Sequence, residues 1–255
     1  MGAVPSACSA ETLALPHVPL MRHRLRWLAW VLGLAAISAG CGGTIPATVP
    51  RPDQIVAFGQ LYAANCSACH GAEGRGGAAI ALDSPVYLAI ADDAVVRQAI
   101  AQGVAGTPMP AFAQSAGGML APAQVSALVA GIGSWRQAGA PVGSPAPPPY
   151  AASQPGDAAR GAAVYQTYCS ACHGAAGQGS KGAGSIVDRS FLALVSNQEL
   201  RTIVIAGRPE LGAPDWRGDL PGHPLDGQQV DDVVAWLVAQ RPTPQPTTPM
   251  KGAQP

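Results

Sequence analysis

Cys66-Ser67-Ala68-Cys69-His70 is repeated 103 residues later as Cys169-Ser170-Ala171-Cys172-His173. The likeness extends outward from both copies. Leu61-Tyr62-Ala63-Ala64-Asn65 leads into the first and Val164-Tyr165-Gln166-Thr167-Tyr168 into the second, and Gly-Ala comes after each histidine. Self-similarity at one fixed offset signals a duplicated unit. Each copy ends in an apolar stripe at i, i+3, i+4, i+7, which is the spacing of a helix. In the first, Val125, Leu128, Val129 and Ile132 fall within Pro122–Trp135; in the second, Val230, Val233, Val234 and Leu237 fall within Gln228–Gln240. Between the copies, residues 139–155 are rich in Pro, Gly and Ser, including Pro145-Ala146-Pro147-Pro148-Pro149, and read as a semi-rigid linker that does not pack. This gives units at 53–138 and 156–241, with a tail at 242–255.

Two thiols three residues apart lie one helical turn from each other, and the adjacent histidine shares their neighbourhood. That arrangement suits two thioether bonds to the vinyl groups of one haem, with the histidine offered to its iron. A redox dithiol wants a βαβ context, which the pattern lacks. A structural zinc needs four ligands together, and pooling both motifs would leave both histidines unexplained. Two covalent haems, held by Cys66 and Cys69 and by Cys169 and Cys172, with His70 and His173 on the irons, account for the repeat.

Composition agrees. Only 12% of the 255 residues are charged and only 5% aromatic, while Gly and Pro number 31 and 25. Large core side chains are thin, so each unit must bury something bulky that the sequence does not encode, and a macrocycle supplies that apolar area. Three arginines and one glutamate lie in residues 1–40, which leaves 12 basic against 14 acidic residues, a net charge of −2. So weak a field excludes a nucleic-acid partner.

On these motifs both halves resemble class I cytochrome c domains. The resemblance covers residues 53–241 and implies an all-α fold of two tandem domains, each a few short helices around one haem. The family places Gly, an aromatic and the first Cys at four-residue steps, matched by Gly161, Tyr165 and Cys169; the first unit has Tyr62 but Gly59 one place off. The family's last helix packs an aromatic on the first. Trp236 fits that role, whereas Gly131 stands at the matching place in the first unit. Gly106-Thr107-Pro108-Met109-Pro110-Ala111-Phe112 resembles the family's distal loop, which implies Met109, rather than Met119, as sixth ligand of the first iron. In the second unit the equivalent stretch is Gly207–Trp216, and Ala213 stands where a ligand would. His223, flanked by Pro221 and Pro224, is the candidate there; a water-ligated or five-coordinate iron, Met250 and Lys181 are the alternatives. The Gly207-Arg208-Pro209-Glu210-Leu211-Gly212 run also resembles dihaem subunits of respiratory complexes, such as alternative complex III or a haem–copper oxidase.

The N-terminus reads as an export signal over residues 1–40. Arg22, Arg24 and Arg26 precede an apolar run from Trp27 to Ile37, and small residues lead to Cys41. Met21 is the expected start. Cys41 resembles a lipoprotein acylation site, with residues 41–52 as tether; a retained anchor and a soluble export signal are the alternatives. All three place the body on the periplasmic side of a bacterial membrane. The expected function is electron transfer among respiratory redox complexes or soluble cytochromes, with membrane attachment through the lipid. The alternative is a haem enzyme, such as a peroxidase or thiosulfate dehydrogenase, that uses an open second haem.

Overall fold

A computed structural model describes residues 50–137, 145–218, 220 and 222–242. The segment read as an export signal, Cys41, Met250 and nearly all of the tail lie outside them. Among the described residues ten short α-helices, five per repeat, carry the chain. The first unit contains α1 (Phe58–Asn65), α2 (Ser67–His70), α3 (Pro85–Ile90), α4 (Asp93–Gln102) and α5 (Pro122–Ser134). The second contains α6 (Ala158–Tyr168), α7 (Ser170–His173), α8 (Arg189–Leu194), α9 (Asn197–Ala206) and α10 (Gly227–Ala239). Among the described residues there is no strand, only the isolated bridges Ala113–Leu120 and Arg208–Ala213. None of these helices is long and apolar enough to cross a membrane.

Local chemistry explains the starts and stops. Ser84, Asp92, Asp157, Asp188, Ser196 and Asp226 cap helix N-termini, each accepting from a backbone N–H in the first turn. The unpaired carbonyls that end α3 are taken by Arg136, which donates to Leu88 and Ala91, and those that end α8 by Arg241, which donates to Leu192 and Val195. The apolar stripes face inward as the spacing requires: Leu128 and Ile132 of α5, and Val230 and Val233 of α10, are fully buried.

The first and last helices of each unit cross closely, and the crossings are filled in opposite ways. In the second unit Trp236 of α10 lies flat on Tyr165, centroids 4.1 Å apart, and Gly161 of α6 makes room: a Cβ there would fall 2.0 Å from the Asp232 carbonyl oxygen and 2.9 Å from the Trp236 Cβ. In the first unit the bulk is on the other helix. Phe58 of α1, at the place of Gly161, fills the space over Gly131, where a Cβ would fall 2.0 Å from the phenyl ring. Trp135 then meets both Phe58 and Tyr62 edge-on at 5.4 Å. The small residue expected near Gly59 therefore sits on the partner helix, and the packing at Gly131 is complete.

The two units share a core, and a second, smaller cluster of Leu192, Val195, Leu200, Val234 and Leu237 belongs to the second unit alone. Ile205, Ala206, Trp216, Leu225 and Val230 of the second unit join Leu61, Tyr87, Leu128 and Ile132 of the first in a single apolar cluster. The linker differs from its sequence reading at its end: Pro148 is buried, and the Pro149 and Tyr150 carbonyls accept from Arg201. The cause is the buried pair of Arg201 with Asp231, whose guanidinium needs further acceptors once removed from water.

Candidate haem sites

Both attachment motifs are built alike. Cys66 ends α1 and Cys169 ends α6, and each leads into a single helical turn, α2 or α7, that carries the second cysteine and the histidine. A buried tyrosine one turn earlier anchors the chain just beyond the histidine: Tyr62 donates to the Gly71 carbonyl at 2.9 Å, and Tyr165 to that of Gly174. Those glycines have φ of 81° and 79°, a left-handed turn that sends the chain back over the motif. It returns to supply a backbone acceptor for each histidine. His70 Nδ1 lies 2.8 Å from the Ile80 oxygen, and His173 Nδ1 lies 3.1 Å from the Gly184 oxygen.

This geometry fits covalent haem. A carbonyl on Nδ1 fixes the tautomer and leaves Nε2 bare for a metal, the usual support of a ligating histidine. All four motif cysteines are free for thioether bonds. Burial pushes the Cys66 and Cys169 thiols up to about 11, each helped by the neighbouring cysteine of its motif. Burial also holds the His70 imidazole below its ordinary range, partly opposed by the Ile80 carbonyl and reinforced by the Arg208 cation. Among the described residues no three His, Cys, Asp or Glu side chains converge as a metal-ion cage. The sites differ in depth: His70 and Cys66 are buried, whereas His173 and Cys169 are half-buried.

The distal loops diverge on one backbone plan. After α4, Gly103 turns at φ 71°, and Val104 N–H donates to the Met109 carbonyl at 3.1 Å. After α9, Gly207 turns at φ 63°, and Arg208 N–H donates to the Ala213 carbonyl at 2.9 Å. Ala213 thus occupies the place of Met109. In the first loop the Thr107 hydroxyl donates to Val104 and accepts from Met109 N–H, which pins the methionine backbone between Pro108 and Pro110. The next loop is also shared: Leu120 N–H returns to Phe112, and Leu225 N–H returns to Trp216. His223 lies in this later loop, exposed, its N–H donating to the Leu220 carbonyl. Met119 lies in the counterpart and is 81% exposed. The His223 loop passes close to the second motif, since a Cβ on Gly218 would stand 3.6 Å from the ring of Tyr168, the neighbour of Cys169. Lys181 is exposed in the turn between His173 and Gly184.

Sequence reasoning missed the backbone acceptors of Ile80 and Gly184 and the role of Arg208. The acceptors carry no residue-type signal. Arg208 acts across 131 positions to Gly77, a pairing that the sequence does not announce.

Two CxxCH turns, each with a backbone-oriented histidine in an all-α unit, define a c-type cytochrome. Residues 54–130 and 156–237 match the family of cytochrome c oxidase, cbb3-type, subunit III, and the chain belongs to that family. No curated protein matches it. Among solved structures it is similar to the reducing HAO-like protein complex of Kuenenia stuttgartiensis, at 15% identity and TM-score 0.42 over 76% of this chain and 100% of the other. It is also similar to thiosulfate dehydrogenase (TsdBA) from Marichromatium purpuratum, at 23% identity and TM-score 0.30 over 74% of this chain and 42% of that one.

Proposed function

We propose that this chain is a two-haem electron carrier, held at the periplasmic face of a bacterial membrane by acylated Cys41. It passes single electrons from a quinol-oxidising complex or dehydrogenase to an oxidase or soluble cytochrome. The observation that carries the reading is the pair of equivalent attachment turns, in units joined by a shared apolar cluster, each presenting a free Nε2. Haem iron, when bound, supplies the one-electron chemistry. The residues that would hold it are Cys66, Cys69, His70 and Met109 at the first site, and Cys169, Cys172, His173 and His223 at the second. No bond is made or broken in such a transfer; one electron enters and one leaves.

A second reading has its own support. Ala213 offers no donor, and His223 stands in the loop whose counterpart, Met119, is solvent-exposed. An iron left open there would bind a small substrate, and the protein would be an enzyme. Carbon monoxide binding separates the two. The carrier with His223 ligated binds little at either haem, and His223→Ala opens one. Wild-type protein that takes one full equivalent favours the enzyme. Purified protein should carry two haems per chain that survive acid–acetone extraction; one haem, or zinc, ends both readings. Cys41→Ser should move the protein from the membrane to the soluble fraction or block its processing, and a variant still membrane-bound at mature size rules out the lipid.

A further inference from the structure

The second unit's distal loop has no sulfur donor and carries a charge that the first unit's loop lacks. Arg208 stands where the first unit has Val104. Its side chain leaves its own domain: Nη2 donates to the Gly77 carbonyl at 2.7 Å, Nη1 reaches the Ala78 carbonyl at 3.4 Å, and Nε pairs with Glu210 at 2.5 Å. The pair is well covered, with side-chain exposures of 13% for Arg208 and 21% for Glu210.

The segment that Arg208 grips is the one that holds the first proximal histidine. Gly77 is wedged under the attachment turn, where a Cβ would fall 2.1 Å from the Cys69 oxygen and 2.6 Å from the Gly71 nitrogen. Two residues on, Ala79 N–H donates to the Cys69 oxygen at 2.9 Å, and the next carbonyl, Ile80, receives His70 Nδ1. Four consecutive residues therefore touch, in turn, the arginine, the haem-binding turn and the histidine.

We propose that Arg208 is a positioning residue of the first haem, supplied by the second domain. It clamps residues 77–80 so that Ile80 stays on His70, and it sets a positive charge on the proximal side, with Glu210 as its counterweight. A nearby cation disfavours the extra positive charge of ferric iron, and an anion favours it, so the two members of the pair pull the potential in opposite directions. The loop that offers the second iron no sulfur donor would thus tune the first, so that electron exchange between the units depends on their docking.

The inference rests on the carrier reading and is tested on the holoprotein. The midpoint potential of the first haem is followed at its iron–thioether absorption band in wild type, Arg208→Gln, Arg208→Lys and Glu210→Gln, with haem content measured in parallel. Arg208→Gln should lower that potential, Glu210→Gln should raise it, and Arg208→Lys should stay nearer wild type than Arg208→Gln. If Arg208→Gln does not fold, the upward shift in Glu210→Gln decides. Two-haem variants that both shift in the same direction, or do not shift at all, overturn the inference and leave the carrier standing. A wild type without two haems overturns the carrier itself.

Discussion

The two halves share a backbone plan helix for helix, yet they solve three equivalent problems in opposite ways. At the helix crossing, Phe58 over Gly131 in the first half becomes Gly161 under Trp236 in the second. On the outer faces of α4 and α5, Arg97 donates to Ser126 at the surface, whereas the matching Arg201 and Asp231 are buried beneath the end of the linker. In the distal loop, Met109 becomes Ala213 while Val104 becomes Arg208. The crossing shows that close packing constrains the sum of two facing side chains more tightly than either one. The other two differences fall where the halves meet each other or the linker.

The largest expected effect is at Met109. Axial-ligand identity moves haem potential across about 0.8 V, and a thioether sits at the high end because sulfur favours ferrous iron. Met109→Ala should abolish the thioether band of one haem and lower its potential, whereas Met119→Ala should change neither. The reverse result would reassign the ligand.

Stability sharpens the other two contrasts. Phe58→Ala and Trp236→Ala should each cost about 3–5 kcal/mol in denaturant unfolding, since each leaves a cavity over a glycine that cannot fill it. The double exchange Phe58→Gly with Gly131→Trp should recover part of the first loss, and no recovery would show that the crossings are not interchangeable. Arg201→Ala leaves Asp231 buried and unpaired and should cost about 3–5 kcal/mol. Arg97→Ala should stay within about 0.5 kcal/mol. Equal losses at the two arginines would remove the contrast.

The smallest effect is a pH dependence confined to the second unit. Hydrogen bonds from Arg160, together with the Asp157 N–H and Gln228, hold the Asp232 carboxyl down at about 2, against an ordinary value near ~3.9. Its folded value is depressed, so its contribution is complete above the ordinary value and is lost as pH falls towards 2. Asp232→Asn should lower the Tm at neutral pH and flatten the acid limb of the stability profile between pH 4 and about 2. An unchanged acid limb would show that Asp232 is not the group responsible.

What the sequence could reveal was set by the reach of each interaction. The attachment turns and the apolar stripes of α5 and α10 are local or periodic and read directly from spacing, whereas the packing role of Trp236 follows from the resemblance to the family. The filling of the first crossing is legible in principle, because the 103-residue offset sets Phe58 at the place of Gly161. The burial of Arg201 and the crossing of Arg208 were not legible. A guanidinium that seeks backbone carbonyls leaves no mark on the residues it binds, and Gly77, Pro149 and Tyr150 read only as loop. The ligand of the second iron divides the same way: that Ala213 cannot ligate was plain, and the structure adds that His223 belongs to the next loop along the chain.

The central claim, that one duplicated fold holds two differently ligated haems, meets its most direct test in a redox titration of the purified holoprotein monitored by optical spectra. Two separable one-electron waves are expected, with the thioether band tracking only the wave of higher potential. A single wave with the band belonging to both haems, or the band belonging to the lower wave, would contradict it.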